Sequence, residues 1–447
     1  MLNFNDLIHL KKLIYGILSA MLFTGCTSDE PVLPSTQKTQ AIADTSGNLR
    51  SIEEVLEISA NASNMITPTG DERGLSRGYG RVIDCQTPVY HIGSKASRSG
   101  GEDTLMYVVN YADNNGFALV SAPRNAPELL AVTEKGHYNP SEPVEIEGFN
   151  LWMDETLEIL KVLTDLPGKN TAKAIYGDQT KIVRDTVWQK NIPPRVDVLW
   201  GQSKDDLVPN ACEGMFCDNG VAGCANTAMA MIMYFLNRPQ GITLTYLSDR
   251  PYLRLSWEEL SKYLSTRDNP LNAFPVSDYP IRENLAHLLR ELGHRANSDY
   301  SDPKVTKTSS DEAPRLLRTL SLASTSGWET GAGIRSYDEI FYHNRAILLE
   351  RGNETDNSGH QWICDGLKNY KIFDYIYDST DNGVTWQLSD AIELEEYYLI
   401  HYNWGWHGKY NGFFHRIDLS MDPNDIKNDA HPLNRFKTKR QIIPIIN

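Results

Sequence analysis

The chain has 447 residues, 40% of them hydrophobic and 23% charged, with 22 Tyr and 9 Trp. Such a composition excludes a disordered chain, and the length exceeds one compact core, so two domains and a targeting segment are expected. A formal net charge of −15 repels phosphate backbones and excludes nucleic acid as an expected partner. Six cysteines, none in a C-x-x-C pair, exclude a disulfide-dense miniature scaffold and a zinc ribbon, and neither cofactor nor metal is expected.

Lys11 and Lys12 precede an apolar run from Leu13 to Phe23 that is too short to span a bilayer and reads as a signal-peptide core. It ends at Leu22-Phe23-Thr24-Gly25-Cys26, which resembles a bacterial lipobox despite Phe23. Cys26 would then be acylated and become the new N-terminus, with residues 1–25 removed. Thr27-Ser28-Asp29-Glu30 resembles a surface-export signal. The expected location is therefore the outer membrane or cell surface, with membrane contact only through the lipid, up to release by processing. Residues 26–50, rich in Pro, Ser, Thr and Gln from 31 on, read as a flexible tether.

Residues 51–180 read as a small α/β domain. Ile52–Ile58 has helical character. Thr104–Tyr111, the turn Asp113-Asn114-Asn115-Gly116 and Phe117–Ser121 predict a hairpin, followed by a third apolar stretch at Leu129–Val132. Residues 149–164 have helical spacing. Residues 165–190 are polar and carry Lys169, Lys173, Lys181 and Arg184, the pattern of an exposed linker and proteolytic cut site.

Residues 181–447 read as an α+β domain, with helices after Cys224, near Trp257–Leu264 and near Arg282–Leu292, then a strand-rich final third. Cys212 and Cys217 are close enough in sequence for a local bridge. Gly223 allows a sharp turn into an apolar helix that Pro239 limits near Asn237. Cys224 thus opens a buried helix, where free N–H groups and the positive end of the macrodipole favour the nucleophilic thiolate. An inert core cysteine fits the local pattern equally well.

A thiolate nucleophile needs an oriented histidine. Of eleven histidines, His360 stands between a polar loop and the apolar Gln361-Trp362-Ile363-Cys364, placed to face a cleft. Downstream, Tyr402-Asn403-Trp404-Gly405-Trp406 offers Asn403 to accept the imidazole N–H and Trp404 to shield that bond from water. His401 shares a strand face with Asn403 and reads as structural. Gln202, in Trp200-Gly201-Gln202, offers an amide donor to an oxyanion beside the Cys224 backbone N–H.

Trp200-Gly201-Gln202, Gly223-Cys224 with Thr227-Ala228, Ser358-Gly359-His360 with Asp365-Gly366, and His401–Trp406 with Asn411-Gly412 occur in the order of the streptopain-like peptidases, family C10 of the papain-like cysteine proteases, which this chain resembles over about residues 50–447. The resemblance implies a papain-like domain with a central buried helix on an antiparallel sheet, Cys224 as nucleophile, His360 as base, and Asn403 with Trp404 in support. It also implies that residues 51–180 are an inhibitory prodomain and that proteins or peptides are the substrates. The Cys224–His360 separation falls within the roughly 130–150 residues typical of papain-like enzymes. Gln361-Trp362 stand where the family commonly has Ala-Phe, His407 where it has Gly, and Lys368–Glu395 is longer; these departures bear on substrate preference. A papain-like acyl transferase or amidase, and a catalytically silent surface-binding lipoprotein, are the alternatives.

Overall fold

A computed structural model describes residues 49–66, 81–87, 89–94, 103–165, 180–202, 219–264, 279–323, 327–330, 341, 346–355, 358–381, 383–416 and 440–446. Cys26, the signal segment, most of the tether, and Cys212 with Cys217 lie outside the described residues. The elements below belong to one compact unit made of residues 48–84 and 89–447.

Helix α1 (Ile52–Ser63) extends further than the sequence predicts. A capping box fixes its start: Ser51 Oγ accepts from Glu54 N and Glu54 Oε2 accepts from Ser51 N, satisfying N–H groups that a helix start leaves open. Strands β1 (Tyr90–Ser94), β2 (Asp103–Asn110), β3 (Phe117–Ser121) and β4 (Leu129–Thr133) form an antiparallel meander. The predicted hairpin turn is present between β2 and β3, with Asp113, Asn114 and Gly116 at positive φ. Helix α2 (Glu147–Asp165) follows.

Part of the predicted linker is a strand. Residues 166–179 lie outside the described residues, but 180–192 form strand β5 (Thr180–Ile192). After it come α3 (Cys224–Leu236), β6 (Gly241–Thr243), β7 (Tyr252–Arg254), α4 (Trp257–Leu264), α5 (Tyr279–Arg295), α6 (Glu312–Thr319), β8 (Glu329–Thr330), β9 (Ile347–Thr355), β10 (Ser358–Asp378), β11 (Gln387–Asn403), β12 (Gly412–His415) and β13 (Arg440–Ile445). The fold is α+β, as the sequence predicts.

The large sheet runs β1-β2-β3-β4-β12-β11-β10-β9-β13-β8. On one edge of β10, β9 pairs Ser358–Cys364 and β5 pairs Leu367–Asp378; β11 occupies the other edge. The long insertion after Lys368 is thus the outer part of a β10–β11 hairpin, widened by β5. Side chains alternate across the sheet. Ile347, Leu349 and Ile363 join the cluster around α3, with Leu288 and Leu289 of α5 and Leu316 and Leu317 of α6. Leu348, Trp362 and Cys364 join the cluster of α2, with Phe149, Trp152 and Leu160. The sheet is therefore covered on one face by α3 and on the other by α2. Both helices begin beside the first residues of β10.

Candidate active site

The segment before α3 is stitched into place. Asn219 Nδ2 donates to Asp302 O at 2.8 Å and to Thr306 Oγ1 at 3.0 Å, and Thr306 Oγ1 donates to Val221 O at 2.6 Å. Gly223 follows at φ +88°, and a Cβ there would stand 3.1 Å from Thr306 Cβ; only glycine takes this turn without strain. Cys224 is the first residue of α3, and no side chain caps the helix. It is half-buried, whereas Ala225–Met233 are buried. Cys364, by contrast, is buried with its sulfur 3.0 Å from Glu350 Oε2. Burial and that carboxylate push its thiol pKa up, which keeps it unreactive. Gln202 is buried, and its backbone oxygen accepts from Ala222 N at 2.7 Å, bringing the Trp200–Gln202 segment beside the entry to α3.

His360 is the third residue of β10, at the loop-to-strand junction that the sequence predicts. Its side chain hydrogen-bonds Cys224. The sequence did not foretell its other partner: Nδ1 lies 3.0 Å from Oε2 of Glu147, the first residue of α2. Burial alone would lower the imidazole pKa, but the bonds to Cys224 and Glu147, with the charges behind them, outweigh it and hold the pKa at about 10. Below that, His360 is an imidazolium held between sulfur and carboxylate. In sequence Glu147 reads only as an acid in the first turn of a helix, a common placement that favours the dipole.

Asn403 does not take the predicted orienting role in this arrangement. Its Nδ2 donates to Val198 O at 3.1 Å, and its Oδ1 accepts from Gly405 N at 3.2 Å. Trp404 is buried, with Nε1 donating to Tyr410 O at 2.9 Å and its ring 5.3 Å from that of Trp362. The start of α2 sits on these two rings: a Cβ on Gly148 would come within 2.8 Å of Trp404 and 3.1 Å of Trp362. One turn on, Leu151 fills the space where Gly352 has no side chain. His401 is seated against two carboxylates. It is buried, 2.6 Å from Asp365 Oδ1 and 3.6 Å from Glu134 Oε1. Against the lowering effect of burial these carboxylates raise its pKa to about 9. Asp365 Oδ2 also accepts from Arg195 N and Val196 N, so this buried pair anchors the chain after β5. His407 lies against Gly201, where a Cβ would come 1.8 Å from its Nε2.

A thiol bonded to a histidine at a helix start is a nucleophile-and-base arrangement, here with the base engaged from α2 and its surroundings covered. Among the described residues no cluster of His, Cys, Asp or Glu is placed to hold a metal ion.

Residues 200–414 match the Peptidase C10 family model, and residues 76–159 match the model of the Spi protease inhibitor. Streptopain of Streptococcus pyogenes is 24% identical over 348 residues, covering 73% of this chain and 77% of that protein. Its counterpart in a further serotype is 24% identical over 347 residues, with the same coverage. A solved structure of a Prevotella intermedia prointerpain A fragment has a TM-score of 0.45 at 18% identity, over 80% of this chain and 98% of that one.

Proposed function

For this chain, which belongs to the Peptidase C10 family and is a cysteine peptidase zymogen with an inhibitor-like pro-region, we propose an endopeptidase mechanism with Cys224 as nucleophile and His360 as base. The observation that carries the reading is the Cys224–His360 contact at the uncapped start of α3. The thiolate attacks the peptide carbonyl carbon. The oxyanion is taken up by backbone N–H groups at the start of α3 and by the Gln202 amide. His360 gives its proton to the leaving amine, and water then hydrolyses the thioester.

The pro-region, residues 51 to about 180, inhibits by lying on the α2 face and by engaging His360 through Glu147. Strand β5 is committed to β10, so the processing cut falls before it, between 165 and 180. Loss of α2 then frees His360 from Glu147, and Asn403 becomes available to orient the ring, with Trp404 beside it. The chain is exported as a lipoprotein acylated at Cys26 and acts on proteins or peptides at the cell surface.

Two measurements test the chemistry. Cys224→Ala should lower casein hydrolysis by more than roughly a thousandfold, and a peptidyl epoxide should label the matured wild type at Cys224 alone. Casein cleavage by Cys224→Ala at even a tenth of the wild-type rate would sink the assignment.

A further inference from the structure

The α2 face carries a second charged seat besides His360. Glu155, two turns after Glu147, is buried, and its Oε2 accepts from Arg440 Nε at 2.7 Å. Arg440 also donates through Nη1 to Glu350 Oε1 at 2.9 Å and to Tyr402 Oη at 3.2 Å. Arg416 Nη1 stands 3.3 Å from the same Glu350 oxygen. The Arg440 guanidinium lies 5.5 Å from the Trp362 ring centre and 5.9 Å from that of Tyr402. Among the described residues, two arginines and two glutamates meet in this buried network, and one of the glutamates belongs to the pro-region.

Register places this seat relative to the catalytic pair. Gly352 of β9 is opposite His360 on one side and opposite Arg440 on the other. Directly opposed residues share a face, so His360 and Arg440 point the same way, about 10 Å apart across two strand spacings. Along α2, the eight residues from Glu147 to Glu155 span about 12 Å. The helix therefore presents one carboxylate to each cation. An extended peptide advances about 3.3 Å per residue, so a chain running from the scissile bond across Gly352 reaches Arg440 after two or three residues.

When the pro-region leaves, Arg440 Nε–H loses the acceptor that Glu155 provides, over an aromatic floor of Trp362 and Tyr402. The geometry points to a specificity subsite: Arg440 receives a carboxylate of the substrate, two or three residues from the scissile bond, in the place that Glu155 holds in the zymogen. Glu155 is a side chain, so an acidic side chain is the ligand that the seat is shaped for; a C-terminal carboxylate offers the same chemistry. The inference rests on the proposed Cys224–His360 mechanism and names the substrate class for that site.

The test uses enzyme matured from the full chain and internally quenched peptides that carry Glu or Gln at each position within three residues of the cut. A parallel pair ends two or three residues past the cut in a free or an amidated C-terminus. At one position the Glu peptide should exceed its Gln twin in kcat/KM by about tenfold, and that ratio should fall with added salt. A preference for the free C-terminus instead assigns the seat to a terminal carboxylate and equally supports it. The ratio should drop to near one in enzyme from Glu155→Gln/Arg440→Gln, a double change that removes both charges of the pair together so that the zymogen can fold. Near-equal rates for every wild-type pair, or a preference that survives in the double variant, overturn the subsite. No hydrolysis of any peptide by the matured wild type would instead remove the mechanism, and the subsite with it.

Discussion

Cys224 and Glu147 both act on His360, and each opposes the effect of burial on its proton. Its pKa is raised from the ordinary value to about 10. A raised value stabilises the docked state fully below about pH 6.5, and that stabilisation is lost as pH rises through the folded pKa. In a Cys224→Ala background the contribution of Cys224 is gone while that of the Glu147 carboxylate remains, so the loss should set in below pH 10. Glu147→Gln in that background should lower zymogen stability in urea by about 1 kcal/mol at pH 6, since the carboxylate is partly exposed and screened. The difference should vanish at alkaline pH; a difference that grows with pH would contradict the assignment. At this scale the helix start at Cys224 and the loop-to-strand junction at His360 were legible, because a glycine turn into an apolar helix and a polar loop before an apolar strand are local patterns. The sequence does not reveal Glu147, whose partner is distant in the chain. Nor does it reveal that Asn403 spends both amide atoms on Val198 and Gly405.

On the proposed mechanism, latency turns on helix α2. It rests on Trp404 and Trp362 through Gly148, on Gly352 through Leu151, and on Arg440 through Glu155. Glu155→Gln in the Cys224→Ala zymogen should cost about 3 kcal/mol, the low end for breaking a buried pair, because Arg440 keeps Glu350. The loss should appear as a lower thermal midpoint of the zymogen, while enzyme matured from Glu155→Gln, identical in sequence to wild type, should melt unchanged. Gly148→Leu should shorten the half-time of self-maturation several-fold, because its side chain meets the Trp404 ring; an unchanged half-time would mean that α2 does not guard the site. Helix α2 was legible from its spacing. Strand β5 was not: most of its residues are exposed on both faces, so it lacks the alternation that marks a half-buried strand, and its basic residues imitate a linker. Only pairing with β10 makes it a strand.

Across the whole molecule, the pro-region meander continues into the peptidase sheet through β4 and β12, with Gly412 opposite Thr133 and Phe413 opposite Val132. A Cβ on Gly412 would come 2.4 Å from Val132 O, so this seam needs glycine. Gly412→Ala should part β4 from β12, and amide exchange at residues 131–133 should rise by at least tenfold in the zymogen. The fold class was readable because helices precede the long strands after Cys224 and a hairpin lies between Asp103 and Ser121. The joining of the two sheets was not, since register between distant strands leaves no local mark. The central claim, a zymogen that its own Cys224 can mature, is tested most directly by N-terminal sequencing of the species that accumulates from the wild type and from Cys224→Ala. The account predicts a wild-type chain that begins between 165 and 180 and cleaves casein, and a Cys224→Ala chain that retains its pro-region. A Cys224→Ala chain that trims itself at the same place and rate would contradict it.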